Sequence, residues 1–133
     1  MGDVETKKPS VKGPDEWFTG NVWIDALVEA SAQAPLNVGL VHFTPGARTA
    51  WHTHQGGQTL IVAEGRGLVQ SRGQGVIELR AGDVHRTPDG EQHWHGATPG
   101  HLLSHYSLTL GPATWSDHVS DAEYGEAAEG RAT

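Results

Sequence analysis

The sequence predicts an all-β fold: one antiparallel sandwich or barrel followed by a short C-terminal helix. From Asn21 onward, short runs rich in Val, Ile, Leu, Trp and Thr alternate with Gly, Pro and Asp at intervals of about 8–12 residues. No segment with helical periodicity of useful length interrupts these runs. This spacing is typical of sheets that pack face to face or close into a barrel.

Nine runs are the predicted strands, and they span residues 22–27, 38–43, 48–54, 59–64, 67–71, 76–79, 84–87, 93–96 and 102–110. Turn-forming residues at 44–46, 64–67, 71–75 and 81–83 separate several of them. Ser120-Asp121-Ala122-Glu123 fits a capping box, which predicts a helix that runs toward Ala128.

The length of 133 residues indicates one domain that can bury a core without disulfides. Residues 1–16 combine Lys, Asp, Glu, Pro and Gly with few apolar side chains and are expected to form a flexible arm. The barrel domain is predicted over 17–125, and 126–133 are expected to form a frayed tail.

The composition excludes several function classes. The chain has no cysteine, so disulfide and thiolate chemistry are excluded and a reducing cytoplasm is expected. Its formal charge of −7 disfavours nucleic acid as a partner. Neither a signal-peptide core nor an apolar run of 18 residues is present in the sequence, so no membrane association is expected. A small molecule is the expected binding partner.

A group of polar side chains points to metal chemistry. His52 and His54 are two residues apart, which is the repeat of a strand, so both imidazoles leave the same face. Gln58 keeps this parity if the strand continues, and His93 follows a Pro88-Asp89-Gly90 turn sequence. Convergent histidines on rigid strands are typical of mononuclear divalent-metal sites.

These stretches resemble the paired motifs of the cupin superfamily, small metalloproteins with a double-stranded β-helix or jelly-roll barrel. The positions that match the two motifs are Gly46, His52, His54 and Gly65, and then Gly82, Pro88, Gly90 and His93. Gln58 stands where the first motif has Glu, and Ala97 stands where the second has Asn. The resemblance implies the barrel fold and a metal site.

Within the superfamily, residues 45–62 and the segments 13–14, 17–20, 93–97 and 118–121 are similar to small bacterial cupins that include the manganese-dependent hydroxynitrile lyases. That resemblance implies Mn²⁺ held by His52, His54, Gln58 and His93, and a lyase that cleaves or forms cyanohydrins of aldehydes. It also implies a cavity histidine that handles the proton, for which His105 is the candidate by position.

The remaining site residues follow from the resemblance and from strand parity. Gly39, Val41 and Thr109 occupy places where the resembling lyases vary their substrate pocket, and His42 lies beside them. His95 shares the parity of His93 and is expected to point inward. For the strand 102–110, parity alone leaves open which set of side chains faces the cavity.

Gln58 in place of Glu changes the expected chemistry. Three neutral imidazoles and an amide leave a divalent ion its full charge, so it is a stronger Lewis acid and resists oxidation. Non-redox bond cleavage is therefore favoured. The same donors also bind Fe²⁺, Co²⁺, Ni²⁺ and Zn²⁺. An iron-dependent cupin dioxygenase and a non-catalytic cupin that binds a small molecule are the alternative hypotheses.

The cupin resemblance also implies a homodimer or a higher homo-oligomer. Leu102, Tyr106, Leu108 and Leu110 share one parity, and they would form an apolar outer stripe if His105 points inward. Such a stripe suits packing against a second copy of the chain.

Overall fold

A computed structural model describes residues 2–131 of the chain. Those residues form twelve strands and one helix. In order they are β1 Val11–Lys12, β2 Phe18–Thr19, β3 Val22–Val28, β4 Asn37–Phe43, β5 Arg48–Thr49, β6 His52–His54, β7 Gln58–Ser71, β8 Ile77–Arg80, β9 Val84–Thr87, β10 His93–Ala97, β11 Leu103–Thr109, β12 Ala113–Trp115 and α1 Asp121–Ala128.

The strands form one curled antiparallel sheet in the order β1-β3-β4-β11-β7-β10-β5-β2. The 14-residue strand β7 joins the two layers, because its first part pairs with β11 and β9 and its second part pairs with β10 and β8. Gly65 lies between these parts with φ +85°, and a Cβ atom there would overlap the backbone of Leu102. Only glycine fits that position.

Strand β7 covers two of the predicted runs, 59–64 and 67–71, where a turn was expected between them. The turn signal at 64–67 reflects the glycine that lets the chain pass from one layer to the other while it remains extended. The predicted run 48–54 is divided into β5 and β6. Strands β1, β2 and β12 were not predicted, because two or three residues give no readable periodicity.

The core lies between the two layers, where alternate side chains of each strand point inward. On β7, Leu60 and Val62 are buried while Ile61 is exposed. On β11 the side chains that point inward include Leu103 and His105. The structure thus decides which face of this strand lines the cavity, which parity alone leaves open. Burial of these alternating apolar side chains is the main driving force for the fold.

The C-terminal helix begins at the predicted capping box, in which Ser120 and Glu123 exchange hydrogen bonds. It packs Tyr124, Ala127 and Ala128 against the outer side of the barrel. Arg48, which is 5% exposed, donates to the backbone oxygen of Val119 and to the carboxylate of Asp121, and it lies over the Tyr124 ring. The helix therefore extends past residue 125, the predicted end of the barrel domain.

The N-terminal arm contacts the barrel through β1, which pairs with β3, and through Lys7 and Ser10, which bond to Asp25. The predicted limits of the arm, barrel and tail stay predictions, and residues 1, 132 and 133 lie outside the part that the structure describes. Among residues 2–131, no helix has the length and apolarity needed to cross a membrane.

A substitution of Asp25 tests whether this residue attaches the N-terminal arm to the barrel. Hydrogen bonds from Ser10 and His42, together with Lys7, lower the pKa of this carboxyl to about 2 from 3.8. We expect Asp25→Asn to lower the free energy of unfolding by about 1–3 kcal/mol at pH 6, because three donors lose a charged acceptor. Because the folded pKa is depressed, the stabilisation is present above pH 3.8 and is lost as the pH falls toward 2.

The measurement is urea unfolding of both proteins at pH 6 and at pH 3. The difference between them is expected to be smaller at pH 3. The control, Asp15→Asn, alters an exposed carboxylate and is expected to change the free energy of unfolding by no more than about 0.5 kcal/mol. Equal stability of Asp25→Asn and the parent protein at pH 6 would contradict this account of the arm.

Candidate metal centre

Four strands bring one glutamine and five histidines into the same part of the barrel. His52 and His54 come from β6, Gln58 begins β7, His93 and His95 come from β10, and His105 lies on β11, and all six side chains are buried. The antiparallel register places His93 directly opposite His52. Because the strand repeat is two residues, His54 faces the same side as His52, and His95 faces the same side as His93.

Backbone carbonyls orient two of these rings. Nδ1 of His52 lies 2.9 Å from the oxygen of Ala50, and Nδ1 of His93 lies 3.1 Å from the oxygen of Glu91. A neutral ring that donates from Nδ1 has a lone pair on Nε2, which is the state needed to bind a metal ion. The two ring centroids are 4.3 Å apart. Both imidazoles are thus held as potential ligands.

Gln58 bridges this pair to β11. Its Oε1 lies 2.8 Å from Nε2 of His93, and its Nε2 donates to Oγ of Ser107 at 2.7 Å. Burial lowers the pKa of His93, so the ring is neutral and has a single N–H. Each nitrogen of that ring faces an oxygen, so one of the two contacts has no hydrogen to share. A cation bound by Nε2 of His93 and Oε1 of Gln58 would satisfy the lone pairs of both atoms. The donors therefore fit a metal ion.

The imidazoles are in the protonation state that coordination requires. Burial is the main cause that lowers the pKa of His52 to about 3 and that of His54 to about 4, and the neighbouring His93 adds to both shifts. Neutral rings at pH 7 can offer lone pairs without first losing a proton. The site is consequently ready to bind a divalent ion at neutral pH.

The structure adds His95 to the potential ligands. The ligand atoms of His52, His93 and His95 all lie within 4.8 Å of one another, whereas His54 stands outside this trio. Nδ1 of His54 and Nε2 of His95 are buried without a hydrogen-bond partner among the described residues. Unpaired buried polar atoms are costly, so both indicate a missing partner such as a metal ion or a substrate.

His95 also pairs with His105 across the barrel. Nε2 of His105 lies 3.0 Å from Nδ1 of His95, so one ring donates its N–H to the other. Burial lowers the pKa of His105 to about 4 and that of His95 well below its ordinary value. Two neutral, hydrogen-bonded imidazoles can accept a proton at one end and pass it along the pair.

Four of the five histidines line a cavity of about 120 Å³. Its walls are formed by Phe18, Val41, Thr49, His52, His54, Gln58, His95, His105, Ser107 and Trp115. Four of these wall residues were not predicted from the sequence: Phe18, Thr49, Ser107 and Trp115. Ser107 shares the parity of His105 and could have been found on that basis, whereas Phe18 and Trp115 arrive through short strands whose pairing partners the local sequence does not reveal.

Some of the predicted pocket residues line the cavity, and others lie at its edge or on the opposite face of the sheet. Val41 and His95 line the cavity. Gly39 and Thr109 belong to strands at its edge, where Gly39 is opposite Ser107 and Thr109 is opposite Gln58. His42 lies on the other face of β4 from Val41, and its ring bonds to Asp25 and Ser104. Its placement in the pocket is therefore corrected, because adjacent residues of a strand face opposite sides.

Comparison with known proteins identifies the family. Residues 39–106 match the Cupin domain family, which covers just over half of the chain. This protein is a cupin. The chain is 48% identical over 119 residues to an (R)-mandelonitrile lyase from Granulicella tundricola, and the match covers 86% of this cupin and 91% of the relative. The sequence resemblance to this group is confirmed, and a relative that is an enzyme supports enzymatic activity here.

Solved structures confirm the predicted all-β cupin barrel. A cupin-like protein from Thermotoga maritima superposes with a TM-score of 0.89 at 42% identity and covers 98% of this chain and 100% of its own. An acetylacetone dioxygenase from Acinetobacter johnsonii gives a TM-score of 0.71 at 19% identity and covers 96% and 92%. The second likeness concerns the fold alone.

We expect His52→Ala and His93→Ala to bind a divalent ion at least about 100-fold more weakly than the parent cupin, because each removes one donor from a site whose total binding energy is of order 10 kcal/mol. Elemental analysis of protein purified without chelator, followed by titration with Mn²⁺, measures the change. His118→Ala, an exposed histidine, is the control and should retain the ion. Stoichiometric metal in both His52 and His93 variants would contradict the site.

Proposed function

We propose that this cupin is a metal-dependent hydroxynitrile lyase that cleaves or forms cyanohydrins of aldehydes. The observation that carries the proposal is the neutral His95–His105 pair, which adjoins a donor set of histidines and Gln58 in a small cavity with apolar walls. The 48% identity to a mandelonitrile lyase supports the same reaction class. An enzyme of this type needs a group that takes a proton from the hydroxyl and a group that stabilises the oxygen.

The metal-binding residues in this proposal are His52, His54, Gln58 and His93, with Mn²⁺ as the ion. When bound, a divalent ion supplies Lewis-acid polarisation of the substrate oxygen. Gln58 contributes an uncharged oxygen, and Ser107 fixes its orientation by accepting from the amide nitrogen. Because these four donors are uncharged, they favour this role over electron transfer. The Nδ1 contacts of His52 and His93 to backbone carbonyls keep both rings in the orientation required for binding.

His95 and His105 handle the proton. In the tautomer in which Nδ1 of His95 donates to His105, Nε2 of His95 has a lone pair that no described residue occupies. This atom accepts the cyanohydrin hydroxyl proton while the C–CN bond breaks, the electron pair leaves with cyanide, and the carbonyl forms. The proton on Nδ1 moves to His105; when it returns to Nδ1, Nε2 of His95 gives the proton taken from the hydroxyl to cyanide, which leaves as HCN.

The walls of the cavity exclude water from this reaction. Val41, Phe18 and Trp115 present carbon to the same space that the histidines enter. A low-dielectric surrounding strengthens each electrostatic interaction with the developing charge on oxygen. The small volume also holds the hydroxyl, the nitrile carbon and the imidazoles near one another, which lowers the entropic part of the barrier.

An oxygen-using reaction is the second candidate. Its support is the shared fold with an acetylacetone dioxygenase, and at 19% identity that likeness carries no residue roles. The uncharged Gln58 disfavours it, because an oxidised ion would lack a compensating anion among its ligands. Oxygen uptake with acetylacetone and iron-loaded protein is the reaction that would favour the dioxygenase.

A second copy of the chain is the proposed partner. The proposed location is a reducing cytoplasm, which the lack of cysteine supports. Leu40, Tyr106, Ile61 and Val84 form a row across four adjacent strands on the outer face of the sheet, opposite in parity to the cavity residues. Ile61 and Val84 are 36% and 61% exposed. A row of apolar side chains on a sheet face suits packing against its symmetry mate.

The function is tested with racemic mandelonitrile. We expect benzaldehyde release that a chelator abolishes and Mn²⁺ restores. We expect His105→Ala to keep its metal and to lose at least about tenfold in turnover, since it removes the acceptor for the Nδ1 proton of His95, general acid–base catalysis contributes 10²–10⁴-fold, and water replaces His105 only in part. Metal content and turnover are measured on one preparation, with His118→Ala as the control. Undiminished turnover in His105→Ala would contradict its role, and no cleavage by the metal-loaded parent protein would contradict the lyase.

The dimer is tested by sedimentation. The parent chain is expected at twice its mass of 14.2 kDa, and Ile61→Lys combined with Tyr106→Lys is expected as a monomer, because two neighbouring like charges would be buried against an apolar surface. Ile77→Lys is the matched control on the opposite layer, where Ile77 is 50% exposed, and should leave the dimer intact. A monomeric parent protein contradicts the proposal.

A further inference from the structure

Trp115 occupies a distinctive place in the cavity wall. It lies on the three-residue strand β12, opposite His52 on β6, and its ring is stacked on the His52 ring at 4.6 Å. The other neighbours of its ring are Phe18 at 5.8 Å and Trp17 at 5.1 Å. Trp115 is half-buried, so it separates the cavity from solvent.

Trp17 is the outer support of this wall. Its ring is parallel to that of Trp115 within 6°, and it is 36% exposed. Aromatic stacking of this kind contributes about 0.5–1.5 kcal/mol beyond area burial. Because Trp115 is stacked between Trp17 and His52, its indole has little freedom to turn away from the cavity. The wall is therefore held in place from both sides.

The cavity volume sets a limit on what this wall admits. A cavity of about 150 Å³ binds one benzene molecule, and the volume here is about 120 Å³. One six-membered ring or a short aliphatic chain is therefore the upper size for the group attached to the reacting carbon. Two fused rings exceed this volume, and Trp115 is one of the walls that they would meet.

We propose that Trp115, braced by Trp17, is the specificity-determining wall that restricts this cupin to small, flat, apolar substrates such as aliphatic and single-ring aldehydes. This inference rests on the proposed lyase function and adds the substrate class to it. Trp115 acts by shape: it takes no part in proton transfer and supplies no ligand atom.

The structure indicates why Trp115, among the wall residues, sets this limit. Val41 lies in the seven-residue strand β4, which pairs with two neighbours, and Phe18 packs against Phe43 in the core. Strand β12 pairs only with β6 among the described strands. Trp115 is half-buried where it packs against the core, whereas Val41 and Phe18 are buried members of the core itself. Trp115→Val should enlarge the cavity toward Trp17 and solvent.

The first experiment compares cleavage of mandelonitrile with cleavage of the cyanohydrin of 2-naphthaldehyde. We expect the parent protein to prefer mandelonitrile in kcat/KM, and we expect Trp115→Val to lower this preference at least about tenfold, in the range that apolar pocket changes produce. Trp115→Phe keeps a ring against His52 and should give an intermediate value, and Trp17→Ala should change the preference in the same direction but less. Trp23→Phe, an exposed tryptophan on the outer sheet face, is the matched control with unchanged preference.

The second experiment needs no reaction. Benzyl alcohol and 2-naphthalenemethanol are titrated by calorimetry into each protein, with metal content measured on the same samples. The parent protein should bind benzyl alcohol at least about tenfold more tightly than 2-naphthalenemethanol, and Trp115→Val and Trp115→Phe should reduce this difference. If Trp115→Phe retains its metal, His52 is undisturbed, and the change in binding is due to the shape of the cavity.

The two experiments fail in different ways. Absence of cyanohydrin cleavage in the metal-loaded parent protein overturns the lyase, while a size preference in binding that Trp115→Val and Trp115→Phe reduce still supports the wall. An equal size preference in the parent protein, Trp115→Val and Trp115→Phe overturns the wall, whether or not the protein is a lyase. An unchanged preference in Trp17→Ala overturns the bracing role of Trp17.

Discussion

The pairing of β10 with both β6 and β7 is the constraint on which the site depends. One register sets His93 opposite His52, and the other sets the same residue opposite Ser71, so the position of His93 is fixed from both sides. The two-residue repeat then determines where His54 and His95 point. A shift of either register by one residue would turn every imidazole of that strand outward. The arrangement of the proposed metal donors is thus a consequence of sheet register as much as of residue type.

This arrangement places polar groups where a β-barrel normally buries hydrocarbon. Six buried polar side chains in one part of the barrel carry a desolvation cost, and the lowered pKa values of the histidines express it as a preference for the neutral ring. Much of the cost is offset by contacts within the group, such as the bonds from Gln58 to His93 and Ser107. Nδ1 of His54, Nε2 of His95 and Nδ1 of His105 are left unpaired, and the first two belong to residues at which a metal ion or substrate is proposed to bind. Stability and binding are therefore in opposition at these atoms.

Much of the fold and the donor set could be predicted from the sequence, because both depend on short-range spacing. The His-x-His repeat, the motif glycines and the capping box at Ser120 each act within a few residues. The resemblance to cupins supplied the rest of the fold. Contacts between distant segments could not be predicted from the sequence. Trp115 lines the cavity through a three-residue strand, and Asp25 contacts His42 and the arm through side chains alone. His42 follows Val41 in β4, and strand parity turns its side chain to the other face of the sheet, where it bonds to Asp25 and Ser104.

The buried guanidinium of Arg48 links the C-terminal helix to the cavity. Its partners Val119, Asp121 and Tyr124 all belong to the last fifteen residues of the chain, while the residue that follows Arg48 is Thr49 in the cavity wall. Deletion of residues 119–128 would remove the acceptors that Val119 and Asp121 offer to this guanidinium, one residue away from the cavity wall. The carboxyl-terminal segment is therefore structurally part of the barrel that holds the candidate site. A shortened chain would lose these contacts, whereas an extension beyond Ala128 would leave them in place.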